Sequence, residues 1–239
     1  MANRVTYRGT KTAENYTLDA ILKELKGKAN PKSVEGMARF GINAKNTLGI
    51  SIPDLRNLAK KIGKDHSLAQ DLWDTEFHEA RILASFIDQP KMVSEKQMEA
   101  WVNDFDSWDV CDQVCSLFAR TELAYEKAEE WSGRKEEFVK RAGFALIAWL
   151  AVHDKEAPNE KLAKFLPIIK RESDDSRNFV KKAVNWALRQ IGKRNLALNG
   201  LAVKAAKEIK KGESRPAKWI ASDALRELTD EKVKGRLKR

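Results

Sequence analysis

Apolar residues recur at three- and four-residue spacing along nearly the whole chain, and strand-like alternation is scarce. That pattern predicts amphipathic helices from end to end. Helix starts carry recognisable caps. Ser51-Ile52-Pro53-Asp54 places a capping serine and an early proline ahead of Leu55, Leu58, Ala59 and Ile62. Breaks fall at Asn30-Pro31, Gly49, Gln89-Pro90, Ala157-Pro158, Gly192, Gly212 and Arg215-Pro216. The segments between them run to roughly 12 to 20 residues, the length of single helices.

The helical segments also resemble one another. FVKRAGFALIAWL from Phe138 is similar to FVKKAVNWALRQI from Phe179, and KWIASDALREL from Lys218 is a weaker copy. Their starts lie about 40 residues apart, the period of two-helix HEAT-type repeats. HEARILASFI from His78 and DSWDVCDQVCSLF from Asp106 read as earlier, more closely spaced members. A helix pair cannot hide its apolar stripe alone, so neighbouring pairs must stack. The predicted fold is therefore all-α: a right-handed α-solenoid of HEAT-like helical repeats with a concave basic face. Residues 16–239 form a single repeat domain after a flexible N-terminal segment, 1–15. A four-helix bundle with extensions is the alternative, but its shared core would not require the repeated FVK(R/K)A opening.

Charge sharpens this picture. The chain carries 45 Lys+Arg against 35 Asp+Glu, a formal +10. Residues 181–218 hold eleven of the cations and only Glu208 and Glu213 as acids, so +9 of the excess is local. Clustered Lys and Arg neutralise phosphates and release counterions, which points to nucleic acid. A solvated helix face with a basic tail is the plainer account. No apolar run is long enough for a membrane span. The opening MANRVTYRGTKTAENYT lacks an apolar signal core, so a cytoplasmic protein is expected. Cys111 and Cys115 have no companions at metal-ligand spacing and are expected to be reduced core thiols.

Four residues stand out against the core pattern. In the helix of Trp186, residues Val180, Val184, Ala187 and Ile191 share one stripe, and Trp186 lies about 120° from it. It shares that side with Lys182, Arg189 and Lys193. Such a tryptophan meets either a partner or the adjacent repeat. In SWDVCDQVCSLF, Trp108 and Asp112 are one turn apart and point opposite to Val110, Val114, Leu117 and Phe118. Asp112 either serves a partner, or acts as a cap or pairs with a basic residue of the next repeat. Arg141, in the most apolar helix of the chain, either pairs internally with a carboxylate or reaches a phosphate.

At these residues the chain resembles the AlkD-like alkylpurine glycosylases of the bacterial DNA alkylation repair family. The resemblance spans roughly residues 30–230 and rests on MARF with LGI, IPDLRNLAK, LW with HEARILA, SWDVCD, FVKRA and FVKKAVNWALR in that order. It implies excision of N3- and N7-alkylated purines from duplex DNA, with Trp108, Asp112 and Trp186 lining the site. It also implies that Arg141 lies near the DNA backbone and that the lesion is sensed without a tight base pocket. Lys182, Arg189, Lys193, Arg194, Lys210, Lys211 and Arg215 are the remaining expected DNA contacts. No metal or organic cofactor is implied, and a monomer acting on DNA with alkylated bases is expected. Phe40 departs from the pattern, standing where the family often has a tyrosine.

The sequence is compatible with other function classes. A non-catalytic HEAT-like module recognising damaged or branched DNA shares the charge argument and differs only at Asp112. A protein–protein scaffold predicts no preference for polyanions, which the clustered charge opposes. Cysteine-based catalysis lacks support, because His66, His78 and His153 have no evident relation to Cys111 or Cys115.

Overall fold

The computed structural model describes residues 16–237. The expected flexible segment 1–15 lies outside the described residues. Among those described, every regular element is helical: α1 (Leu18–Gly27), α2 (Pro31–Arg39), α3 (Ile52–Ile62), α4 (His66–Asp74), α5 (His78–Ile87), α6 (Glu95–Asn103), α7 (Trp108–Phe118), α8 (Ala124–Ser132), α9 (Glu137–His153), α10 (Asn159–Ala163), α11 (Phe165–Arg171), α12 (Asn178–Gly192), α13 (Leu196–Lys210), α14 (Arg215–Leu228) and α15 (Glu231–Lys234). One 3₁₀ turn, Glu172–Asp174, precedes α12. None of these helices is long and apolar enough to cross a membrane.

Local chemistry sets the helix starts. Thr17, Asn30, Ser51, Asp65, Ser94, Asn195 and Ser214 each accept from the amide three residues on, satisfying a donor that the first turn leaves unpaired. Pro31, Pro53 and Pro216 sit in the first turns of α2, α3 and α14, where a missing N–H costs nothing. Several helices are shorter than expected: α4, α6 and α8 have nine residues each. Aromatic packing compensates for their length. Trp73 of α4 stacks on Trp101 of α6 at 4.0 Å, and Phe118 of α7 packs against Trp131 of α8.

Helices α3, α5, α7, α9, α12 and α14 form a row in which each packs on the next. The repeated segments His78, Asp106, Phe138, Phe179 and Lys218 all fall in this row. Helices α4, α8 and α13 back it, packing on α5, α9, and on both α12 and α14. The row-and-backing arrangement is that of HEAT-like repeats. Gly143 permits the closest approach: a Cβ there would strike the backbone of Ser132 in α8. The free face of the row is curved inward. Arg56 of α3 donates to Gln113 of α7 at 3.3 Å across α5, and the 40–41 turn after α2 reaches Trp108 of α7 and Phe179 of α12.

Candidate active site

The off-stripe residues converge on this inner face. Trp108 opens α7 and Asp112 follows one turn later. Arg141 of α9 meets the Asp112 carboxylate side-on, donating from Nε at 3.0 Å and from Nη2 at 2.8 Å. Its Nη1 donates to the Phe179 carbonyl at 2.6 Å, at the start of α12. The guanidinium lies 5.9 Å from the centre of the Trp108 ring. A bidentate pair of this kind fixes both partners in direction as well as distance.

This pair realises the internal contact open to each residue. Asp112 does pair with a basic residue of the next repeat, and Arg141 does pair internally with a carboxylate. The Arg141 side chain is 7 % exposed, and Nε, Nη1 and Nη2 each donate once within the protein. Asp112 is less open than its wheel position implied, retaining 15 % side-chain exposure. Burial pushes its carboxyl above the usual carboxylate value, and the Arg141 charge opposes that push and favours the anion.

A residue not singled out in the sequence joins the site. Trp149 of α9 donates from Nε1 to the Asp112 carbonyl oxygen at 3.0 Å. Its ring meets Trp186 of α12 edge-on at 6.4 Å. Trp186 therefore packs on the adjacent repeat while staying partly exposed. Arg141 and Trp149 thus link Trp108, Asp112 and Trp186 across three successive helices. Trp149 escaped notice because it lies within a continuous apolar run. Phe40 borders the site: its carbonyl accepts from Trp108 Nε1 at 3.1 Å while its ring is 74 % exposed. The turn continues through Gly41 at φ 78°, where a side chain would collide with Phe179.

The expected DNA-contact residues do not form one patch. Arg189 pairs with Asp223 and Glu227 of α14, and Lys193 pairs with Glu227 at 2.8 Å. Arg194 donates to the carbonyls of Ala151 and Asp154 at the end of α9. Lys182 is exposed with no ion partner among the described residues, as are Lys210, Lys211 and Arg215. The last three flank the turn between α13 and α14, and α13 runs back along α12, so they lie at the opposite end from Arg194. Lys181 covers the half-exposed Trp219 ring at 4.9 Å, another cation–aromatic contact absent from the expected set.

Other chemistry-bearing residues have structural work. His78 shares a 2.9 Å hydrogen bond with Asp109. Glu79 accepts from the amides of Leu48, Gly49 and Ile50 and so fastens the loop before α3. Cys111 and Cys115 are free and buried, and burial holds the Cys115 thiol well above its usual value, which disfavours a thiolate nucleophile. No cluster of three potential metal ligands occurs among the described residues.

Comparison with known proteins agrees with this architecture. No curated protein matches the chain. A solved structure described as a new family of proteins related to the HEAT-like repeat DNA glycosylases, with affinity for branched DNA structures, is similar to it. The TM-score is 0.75 at 21 % identity, over 88 % of this chain and 95 % of that one. The family model for DNA alkylation repair enzymes matches residues 21–228. With that span, the chain belongs to the DNA alkylation repair enzyme family.

Proposed function

We propose that the protein binds duplex DNA as a monomer along the inner face and excises N3- and N7-alkylated purines. The observation that carries this reading is the joint placement of Trp108, Asp112 and Trp186 on one face, with Asp112 held in a fixed direction by Arg141. An alkylated purine carries positive charge and leaves readily, so little acid catalysis is required. The remaining task is to stabilise the oxocarbenium-like sugar that develops as the glycosidic bond breaks. Asp112 supplies negative charge and orients water through the lone pairs that Arg141 leaves free. Trp108 and Trp186 offer π-faces to the developing cation. Arg141 acts as a positioning residue, and Lys182, Lys210, Lys211 and Arg215 hold phosphates without reading sequence.

Single-turnover release of N7-methylguanine from duplex DNA tests this. Asp112→Asn should lower the rate by about a hundredfold or more while binding is retained. A variant as fast as wild type removes Asp112 from catalysis. One observation favours a second reading, a non-catalytic module for branched DNA: both Asp112 oxygens already accept from Arg141, so the pair is neutral overall. The similar solved structure has affinity for branched DNA. No base release by wild type, with salt-dependent binding intact, would select that reading.

A further inference from the structure

Beside the Trp108–Asp112 site the inner face opens into a cleft of about 570 Å³ between α3, α5, α7 and α9. Arg56 and Lys60 come from α3, Lys64 from the following loop, and Arg120 from just beyond α7. No carboxylate lines the cleft. The acid nearest Lys64, Asp88, is buried and occupied by His66 at 2.7 Å and Gln97 at 2.6 Å. Lys64 instead donates to the carbonyls of Phe86 and Asp88. Burial and the neighbouring Arg120 charge lower its pKa, and the Asp88 charge opposes them only in part.

Between these cations the walls are apolar and aromatic. Phe86 and Trp149 face the cleft, with Ala59 and Ala119 leaving open space. Arg56 lies over the Phe86 ring at 5.5 Å, and His153 stacks on Trp149 at 4.8 Å. Inorganic phosphate would need the cations and not the aromatic walls, and an apolar peptide would need the walls and not the cations. A nucleotide needs both, and the volume falls within the range of pockets that enclose small organic ligands. A base that remains paired in a duplex could not enter.

We propose that this cleft receives one unpaired nucleotide of a DNA strand lying across the inner face. Its phosphate meets Arg56, Lys60 and Arg120, and its base lies against Phe86 and Trp149. The proposal rests on the DNA-binding reading and adds a second subsite to it. Trp149 joins the two, because the same indole lines the cleft and donates to the Asp112 carbonyl. A nucleotide displaced from the helix next to the site would thereby be held away from it.

Binding to a fully paired duplex, and to the same duplex carrying one unpaired 2-aminopurine nucleotide, provides the test. Wild type should prefer the bulged probe by about tenfold, the scale of one base–aromatic stack, and quench its fluorescence. Lys60→Gln with Arg120→Gln, both at exposed positions, should remove most of the preference. Ala59→Tyr should fill the cleft and remove it while leaving duplex affinity unchanged. Equal affinity of wild type for both probes overturns the cleft and leaves duplex binding standing. So does a preference that survives both variants, or tight binding of a free deoxynucleoside monophosphate without any bulge preference. Absence of salt-dependent binding to either probe overturns the DNA-binding reading itself.

Discussion

In the basic segment 181–218, Arg189 and Lys193 lie against Asp223 and Glu227, and Arg194 closes the end of α9. In the cleft, by contrast, Arg56, Lys60 and Arg120 face no carboxylate at all. Counted along the chain, the first region looks far more positive. Its neutralising acids stand just beyond its boundary, on α14, where the next repeat folds back onto α12. The cleft cations come from a short basic stretch, 56–64, and from the end of α7. Field strength at a solenoid surface follows pairing between repeats, so a smaller charge excess in sequence can be the freer one in space.

Arg141 is the extreme of the paired class, and removing it should have the largest effect. Arg141→Met leaves Asp112 enclosed without its cation, a change expected to cost about 3–5 kcal/mol. Urea unfolding would read this as a lowered midpoint at constant slope. The loss should shrink in acid, because protonating Asp112 removes the uncompensated charge. A midpoint close to wild type at neutral pH would mean that the pair holds nothing together.

Glu227→Gln sharpens the comparison from the other side, with a smaller effect. It frees Lys193 completely and leaves Arg189 with Asp223 alone. If pairing silences these cations, the variant should bind duplex DNA more tightly, and its salt dependence should steepen by about 0.9, one phosphate contact. An unchanged slope would place Lys193 outside the interface whatever its charge state.

Much of the fold was legible because its determinants are local and periodic. The FVK(R/K)A openings, the Ser51 cap and the early prolines act within one or two turns, and the similar segments all occupy the inner row. The site was legible in part. Helical spacing put Trp108 and Asp112 on one face and Trp186 off its stripe. Spacing gives direction and not distance to the next repeat, so the closure of Arg141 on Asp112 stayed open. Trp149 was hidden by an apolar context, and the cleft by assembly from four helices. Glu79 stands out in no sequence pattern; buried, it serves three amides of the preceding loop, a partnership that spacing does not encode.

The seam beneath the cleft offers the smallest effect and a test of how its floor is held. Helix α5 contributes Phe86 to the cleft, and its first residue, His78, is bound to Asp109 of α7. Burial alone would lower the His78 pKa. The Asp109 hydrogen bond and the charges of Asp109, Glu79 and Asp106 outweigh burial and raise it above 6.5. The folded protein therefore holds this proton more tightly than the unfolded chain does. The stabilisation is complete below the ordinary histidine value and is lost as pH rises through the higher folded value. Wild-type unfolding midpoints should fall across that window, and His78→Gln, which keeps a donor but cannot titrate, should remove this part of the pH dependence. If the two proteins show the same pH profile, His78 is neutral in the fold, and α5 is fixed to α7 by packing rather than by an ion pair.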